Sequence, residues 1–339
     1  MKGRFMSLPG EFEKQSFVQM IFPHALSDWS PYLEEACRSF ASIAEAVSRF
    51  EPCLIVCDDI ERVRSYFPAC NNLCFIQYQS DDTWARDCSG ITVIEDGKPV
   101  ILDFNFNGWG NKFEAARDNN MTASIKNIYG AEVKKVDFTL EGGAVESNGS
   151  GTLLTTSRCL QNKNRNPSLS SKQIESVLKK QFGLHTIHWL HNGYLAGDDT
   201  DSHIDTLARF IDKNTIMYLQ CTDRSDEHFT ALAEMQKELQ AFKNENGKPY
   251  HLVPLPMTDA IYYENERLPA TYANFLIVNG AVLVPTYNDR HDKEALEIFR
   301  ENFPDREIIA IDCSVLIRQY GSLHCVTMQF PQNVILNSK

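Results

Sequence analysis

The residues best suited to catalysis lie in an acidic stretch near the middle of the chain. Residues 197–205 hold four aspartates and one histidine, and an apolar run follows them, which predicts a loop leading into a strand. Residues two apart on a strand face the same side of the sheet, so His203 and Asp205 are predicted to project together. A histidine beside a carboxylate can move protons during a reaction. A solvated acidic loop without a catalytic role explains this stretch alone equally well.

Three further polar clusters lie at the predicted ends of strands. They span Trp84 to Asp87, Glu141 to Gly143 and Gly321 to Cys325. The clusters are far apart in sequence, as active-site residues usually are. If equivalent ends of repeated units meet near one axis, five side chains would share one pocket. They are Asp87, Glu141, His203, Asp205 and Cys325.

A pocket of buried carboxylates needs a cation, because the carboxylates repel one another and would otherwise take up protons. A planar guanidinium suits such a pocket, since its fork of N–H donors pairs with carboxylates bidentately. Asp87 and Asp205 could hold it from two sides. Trp84 could stack on its face, although a role as core filler explains Trp84 equally well. The sequence therefore predicts a small cationic guanidine as the substrate.

A cysteine thiolate could attack the central carbon of that guanidinium. We assign this role to Cys325, whose deprotonation the bound cation or a protonated His203 would favour. His203 could then protonate the departing ammonia and deprotonate a water for hydrolysis, with Glu141 orienting its ring. Cys88 is the competing thiol, but the carboxylate next to it would raise its pKa. His324 would face the opposite side of the predicted strand and is interpreted as structural.

The elements that position these residues form a repeated pattern. A hairpin, a helix and a single strand recur about every 45–70 residues, and turn pairs such as Asp96-Gly97 mark the hairpins. The first part of the chain adds strands at 17–21, 53–57 and 73–78 and a helix at 31–50. The hairpins are predicted at 91–104, 144–156, 204–219 and 275–285, their helices at 112–129, 171–182, 226–242 and 293–303, and the single strands at 133–136, 186–190, 251–255 and 308–311.

The two ends of the chain are predicted to pair. The strand at 17–21 has no hairpin partner before it, and the strand at 323–330 has none after it. Pairing them would close a ring of five units, as in propeller folds. No linker rich in Pro, Gly or Ser divides the chain. We therefore expect an α/β fold, a five-bladed pseudo-symmetric propeller that forms one closed catalytic domain over residues 1–339.

The composition and net charge of the chain limit the classes of partner and the cellular compartment that we expect. The chain has 339 residues, 43% of them hydrophobic, and a net charge of −12. This charge argues against nucleic acid or an anionic membrane as partner and is compatible with cationic substrates. The N-terminus lacks a signal-type apolar segment and no stretch approaches a membrane span, so we expect a cytoplasmic protein.

The ten cysteines of the chain are expected to be reduced. A four-cysteine zinc site is less favoured than buried thiols, and no metal is predicted.

Six motifs, in this order along the chain, resemble the agmatine deiminase family, which is similar to the bacterial peptidylarginine deiminases and belongs to the guanidine-modifying superfamily. The resemblance covers residues 17–331. Two departures are Ser202, where the family usually has glycine, and the Gln319-Tyr320 pair before the cysteine, where it is glycine-rich. The motifs are Trp84-x-Arg86-Asp87, Phe106 to Lys112, Glu141-Gly142-Gly143, Asn164-Arg165-Asn166-Pro167, Asp198 to Asp205 and Leu323 to Thr327.

The resemblance implies a pentein-type five-bladed propeller that needs no cofactor. It implies hydrolysis of agmatine to N-carbamoylputrescine and ammonia, a reaction of polyamine metabolism, and a homodimer or larger homo-oligomer. By motif, Cys325 is the nucleophile and His203 the acid and base. Asp87 and Asp205 are the guanidinium clamps, and Glu141 is the partner of the histidine.

The mouth of the pocket distinguishes among guanidines. Free arginine would require a cationic clamp for its carboxylate, and a peptidyl-arginine would require an open groove. Here Asp198 and Asp199 make the mouth acidic, which favours an amine tail held by Asp199. Free-arginine and peptidylarginine deimination stay open as alternatives, as do an amidinotransferase and a non-catalytic ring-fold binding module.

Overall fold

The computed structural model describes residues 5–337. The helices α1 to α9 are Leu33–Ser48, Ile60–Arg64, Ala85–Cys88, Gly108–Asn111, Ala116–Ile125, Ser157–Leu160, Ser171–Phe182, Phe229–Ala241 and Asp292–Asn302. The strands β1 to β10 are Met6–Ser7, Gln15–Ile21, Cys53–Cys57, Leu73–Gln77, Ile91–Glu95, Lys98–Asn105, Glu132–Thr139, Val145–Ser147, Thr152–Thr156 and Thr186–Leu190. The strands β11 to β19 are Ala208–Phe210, Thr215–Gln220, His251–Pro256, Tyr262–Tyr263, Glu266–Arg267, Leu276–Val278, Ala281–Thr286, Glu307–Asp312 and Thr327–Pro331.

Within the described residues, the strands form five sheets of three or four strands and one separate two-stranded hairpin, β14–β15. Each of the five sheets combines an antiparallel pair with a parallel neighbour. In one, β8 runs antiparallel to β9 and β10 runs parallel to it. The parallel neighbour returns through a helix in every case, because parallel strands need a crossover connection.

The predicted pairing of the chain's two ends is confirmed. Strand β19 runs antiparallel to β2, with Thr327 opposite Met20 and Phe330 opposite Phe17. The rings of Phe17 and Phe330 stack with their centroids 4.4 Å apart, and both side chains are fully buried. The contact joins strands more than 300 residues apart, so the beginning and the end of the chain form one sheet.

Most of the predicted elements are confirmed with small shifts in their bounds. The four hairpins and the helix Ser171–Phe182 occur where turn residues and apolar periodicity indicated them. The predicted helix 112–129 is wrong in its first part, because residues 112–115 form a non-helical turn and the helix begins at Ala116. The short helix α4 before this turn is irregular. Here Gly108, Trp109 and Gly110 all have positive φ, a conformation that interrupts a regular helix.

Two predictions of local structure around the site are wrong. Residues 204–206 form a 3₁₀ turn, and the strand begins only at Ala208, so His203 and Asp205 do not share a strand face. The last strand begins at Thr327, which leaves Cys325 in the preceding turn. In both places side-chain hydroxyls stabilise the turn: the hydroxyl of Thr206 donates to the carbonyl of His203, and that of Thr327 donates to the carbonyl of Leu323.

Membrane-spanning helices are not found among residues 5–337, since the helices described there are too short or too polar to cross a bilayer.

Candidate active site

Three of the predicted site residues converge on Gly143. A Cβ atom at this position would lie 2.6 Å from Nδ1 of His203, 2.9 Å from Oδ1 of Asp87 and 3.1 Å from Oδ2 of Asp205. No side chain fits in that space, so glycine lets the backbone approach these groups closely. The predicted convergence of Asp87, His203 and Asp205 is therefore seen, although it does not arise from a shared strand.

A cavity opens beside this convergence point, with about 540 Å³ of space between the surrounding atoms, part of it open to solvent. The thiol-bearing residue Cys325 and the carboxylate-bearing Asp87 both line it, and Trp84 forms part of its wall. Its remaining lining is acidic and aromatic, which suits a cation with an apolar stem. The other lining residues are Asp28, Asp82, Trp109, Phe113, Asp198, Asp199, Thr200, Thr206, Gln319, Tyr320 and Gly321.

Cys325 is held by Asn274. The side-chain oxygen of Asn274 accepts hydrogen bonds from the backbone N–H groups of His324 (2.9 Å) and Cys325 (3.3 Å), and it lies 3.4 Å from the Cys325 sulfur. Burial, followed by the charges of Asp205 and Asp87, raises the pKa of the Cys325 thiol well above its usual range. Burial and these two carboxylates thus keep the thiol protonated, and a bound cation that neutralises the carboxylates would favour the thiolate.

His203 is fully enclosed and faces Asp87. Its Nδ1 lies 3.6 Å from Oδ1 of Asp87, and its Nε2 has no hydrogen-bond partner among the described residues. Burial alone would lower the pKa of His203, but the Asp87 carboxylate, followed by Cys159 and Glu141, raises it well above its usual range. The ring is therefore an imidazolium near neutral pH, which is the form required of an acid.

Asp87 is oriented by two donors. The indole N–H of Trp109 donates to its Oδ2 at 2.9 Å, and the backbone N–H of Gly143 donates to its Oδ1 at 3.0 Å. Burial, opposed by the charge of His203, raises the pKa of Asp87 to about 6. Trp109 reaches Asp87 because its backbone is left-handed, with φ 54° and ψ 47°, in a turn that Asn107 caps by accepting from Gly110 N–H.

Asp205 is paired with His324, the residue before the cysteine. Nδ1 of His324 lies 2.7 Å from Oδ2 of Asp205, and its Nε2 lies 2.6 Å from Oε2 of Glu11. Although burial raises the pKa of Asp205, the hydrogen bond and charge of His324 lower it below its usual value. Oδ1 of Asp205 is buried and has no hydrogen-bond partner among residues 5–337. The interpretation of His324 as only structural is therefore incomplete, because it holds a predicted clamp.

Glu141 lies near His203 but is bonded to Arg165. Nε of Arg165 donates to both carboxylate oxygens, at 2.8 and 2.9 Å. Atoms of Glu141, His203 and Cys159 that could ligate a metal all lie within 4.8 Å of one another. Because the Arg165 cation already occupies the carboxylate, a divalent ion there would have to displace it. Glu141 also contributes by its charge to the raised pKa of His203, and its predicted role as partner of the histidine stays a prediction.

The two aspartates at the mouth differ in their surroundings. Oδ1 of Asp198 accepts from the backbone N–H of Thr200, and Oδ2 accepts from that of Ser202 at 2.6 Å, so its carboxylate stabilises the loop. Asp199 lines the same cavity, and the role of either aspartate in substrate binding stays a prediction. Burial and the neighbouring Asp198 charge raise the pKa of Asp199 to about 7. Trp84 donates from its indole N–H to Asp82 at 3.0 Å, which fixes its ring in the wall.

Sequence reasoning missed several residues that hold the site. Asn274 and Glu11 lie outside the recognised motifs, and no local signal distinguishes them. Arg165 and Trp109 lie inside two of the six motifs that carry the family resemblance. The glycines flanking Trp109 indicated an unusual backbone geometry. Their functions depend on contacts between distant parts of the chain, such as the 313-residue separation of Glu11 and His324.

The Cys325 thiol and the Asp87 carboxylate line one cavity, and His203 and Asp205 meet Asp87 around Gly143. Together these groups define a site for covalent chemistry on a cationic group. The chain belongs to the Porphyromonas-type peptidyl-arginine deiminase family, whose model matches residues 7–331.

Relatives and solved structures agree with this assignment. Agmatine deiminase of Stutzerimonas stutzeri is 32% identical, over 96% of this chain and 95% of that protein. A C. jejuni agmatine deiminase, solved as a cysteine-to-serine variant with substrate bound, is 42% identical over 97% of both chains, with a TM-score of 0.93. A Porphyromonas gingivalis structure with a provisional assignment as arginine deiminase is 48% identical, over 97% of this chain and 99% of the other, with a TM-score of 0.94.

Proposed function

We propose that the chain is an agmatine deiminase, which hydrolyses the guanidinium of agmatine to N-carbamoylputrescine and ammonia. The observation that carries this proposal is the cavity that combines the Cys325 thiol with buried carboxylates and an acidic mouth. Asp87 and Asp205 clamp the guanidinium, with the free Oδ1 of Asp205 as one acceptor. Trp84 stacks along its plane. The relatives that carry the name agmatine deiminase support the same substrate.

The first half of the reaction forms a covalent intermediate. Binding of the guanidinium neutralises the charges that raise the pKa of Cys325, so the thiol loses its proton to solvent and the thiolate attacks the central carbon. Protonated His203 then donates its proton to one amino group, which leaves as ammonia. The result is an amidino group bonded to the Cys325 sulfur and a neutral imidazole.

The second half hydrolyses that intermediate. Neutral His203 takes a proton from a water, whose oxygen attacks the amidino carbon. The carbon–sulfur bond breaks, the thiolate of Cys325 leaves, and the hydroxyl proton passes to solvent as the urea forms. The nearby Glu141 carboxylate stabilises the imidazolium that is restored. No step requires a metal or an organic cofactor.

The amine tail of agmatine is held by Asp199. This carboxylate lines the cavity mouth, whereas the carboxylate of Asp198 is used by its own loop. The Asp199→Asn variant should raise KM for agmatine far more than KM for butylguanidine, whose tail is neutral. Asp201→Asn is the matched control, because its carboxylate pairs with Arg165 in the same loop. Equal effects of Asp199→Asn on both substrates would remove Asp199 from this role.

Deimination of free arginine or peptidyl-arginine is the second candidate, favoured by the 48% identity to the P. gingivalis chain. A panel of agmatine, arginine and a blocked arginine amide, assayed for the ureido product, separates the substrates. Wild type should consume agmatine with the highest kcat/KM, and Cys325→Ser should consume none of them. An assay without any acceptor amine distinguishes hydrolysis from amidino transfer. If the wild type converted no substrate of the panel, a non-catalytic binding module would be favoured.

The same assignment supports proposals on the fold, the compartment and the assembly of the chain. The five sheets and the pairing of β19 with β2 support a five-bladed α/β propeller that is one catalytic domain. We infer a cytoplasmic enzyme, a small cationic guanidine as its partner, and a homodimer or larger homo-oligomer. Size-exclusion chromatography with light scattering tests the assembly.

A further inference from the structure

A tyrosine lies in the wall of the cavity at a backbone position that disfavours it. Tyr320 ends the turn Leu316–Gln319 with φ 63° and ψ 7°, the left-handed conformation in which glycine is unstrained. Non-glycine residues keep such a conformation only where their surroundings impose it, and these positions cluster at functional sites. Tyr320 is half-buried and lines the cavity together with Asp199 and Trp84.

The tyrosine hydroxyl is fixed by a separate element. It donates to Oε2 of Glu266 at 2.6 Å. Glu266 belongs to the hairpin β14–β15, which is outside the five larger sheets. The Glu266 carboxylate, followed by burial and the Asp199 charge, raises the pKa of Tyr320 to about 12, so the hydroxyl stays protonated and remains a donor.

The hairpin has two further anchors. Arg267 pairs with Asp226 at 2.6 Å and with Glu227 at 3.1 Å. The carbonyl of Arg267 packs so closely on Gly197 that a Cβ there would lie 2.2 Å from it. Gly197 opens the loop that carries Asp199. The hairpin therefore connects the acidic loop to the loop before Cys325.

The loop before Cys325 has little room to shift. A Cβ on Gly321 would lie 2.1 Å from the Trp84 ring, so the backbone rests directly on the indole. The side chain of Gln319 donates to the carbonyl of Asp28 at 2.9 Å. With the backbone fixed on both sides of Tyr320, the phenol ring cannot move out of the cavity wall without breaking its bond to Glu266.

We propose that Tyr320, held by Glu266, determines specificity by closing the outer end of the cavity, so that guanidines with a slim amine tail enter and guanidines on a peptide backbone do not. This inference rests on the proposed deimination and specifies which substrate tails the enzyme accepts. An agmatine tail ends in one ammonium beside Asp199 and fits under the ring. A peptidyl-arginine carries main chain in two directions from the same point and would collide with the phenol.

The test compares a blocked arginine amide with agmatine as substrates of wild type and of four variants. Tyr320→Gly removes the ring at a position where glycine is unstrained, so the variant is expected to fold. It should raise the ratio of kcat/KM for the blocked arginine to that for agmatine by at least about tenfold, as expected for the loss of a steric barrier. Tyr320→Phe keeps the ring, and Glu266→Gln weakens its anchor, so both should give smaller increases.

Tyr262→Ala is the matched control, because this tyrosine lies on the same hairpin but is exposed. It should leave the ratio unchanged. An unchanged ratio in Tyr320→Gly, or a wild type that already prefers the blocked arginine, would overturn the specificity role. If the wild type converted neither substrate, the proposed deimination itself would fail, which is a separate outcome.

Discussion

The guanidinium of Arg165 holds the carboxylate of Glu141, with Nε donating to both oxygens at 2.8 and 2.9 Å. The same arginine donates to Oδ2 of Asp201 at 2.7 Å and to the carbonyl of Thr200 at 2.9 Å. Its side chain is fully buried. One residue therefore ties the carboxylate beside His203 to the loop that carries the mouth aspartates.

Replacing Arg165 should affect both stability and turnover. Arg165→Gln leaves Glu141 as an unpaired buried carboxylate and should lower the free energy of unfolding by about 3–5 kcal/mol. Arg165→Lys keeps the charge but loses the fork of donors, so it should fold and lower kcat by about tenfold or more. Urea unfolding and steady-state kinetics measure the two effects. The control is Arg158→Gln, because Arg158 is exposed; an Arg165→Gln variant as stable as this control would contradict the assignment.

The acid limb of the pH profile should depend on the substrate tail. Burial raises the pKa of Asp87 to about 6 and that of Asp199 to about 7, so both carboxylates gain protons as the pH falls through this range. For agmatine, kcat/KM should begin to fall below about pH 7 and fall more steeply than one proton allows, because both charges bind the dication. For butylguanidine the fall should begin nearer pH 6. Identical acid limbs for the two substrates would exclude a role for Asp199 in tail binding.

His324 should control the clamp that it contacts. Its hydrogen bond and charge lower the pKa of Asp205 against the effect of burial. In His324→Gln the pKa of Asp205 should rise, so the clamp becomes protonated at higher pH and the acid limb of kcat/KM moves upward. Glu11→Gln, which changes the far side of His324, should shift the limb in the same direction by less. A lowered kcat/KM with an unmoved limb would show that His324 acts only in packing.

Ser202 lies at a backbone position where glycine is preferred. Its φ is 66°, and its buried hydroxyl has no partner among the described residues. Ser202→Gly removes the backbone strain of the positive φ and the penalty of the unpaired buried hydroxyl. Because glycine also enlarges the unfolded ensemble, the net stabilisation should be about 1 kcal/mol. Ser202→Ala removes the hydroxyl alone and separates the two effects. Urea unfolding gives the values, and a Ser202→Gly protein less stable than wild type would refute this reading of the strain.

Sequence reasoning located the site more accurately than it described its local structure. Asp87, His203 and Asp205 do converge, but around Gly143 and through turns, because hydroxyls at the strand ends favour turns over extended backbone. The hairpins were predictable since their turn residues act locally. Arg165, Asn274 and Glu11 were not, because an ion pair or a cap between distant segments leaves no periodic signal. The left-handed Tyr320 was visible only as a departure from a motif, and its contact with Glu266 needed the fold.

The central claim is that the sulfur of Cys325 becomes bonded to the carbon of the substrate guanidinium. Rapid acid quenching of the enzyme during turnover of agmatine, followed by peptide mass spectrometry, tests it most directly. The account predicts the mass of agmatine less ammonia on the peptide that contains Cys325, absent in Cys325→Ser and absent from the peptides that contain Cys88 and Cys159. Turnover with no adduct on Cys325, or with an adduct on another cysteine, would contradict it.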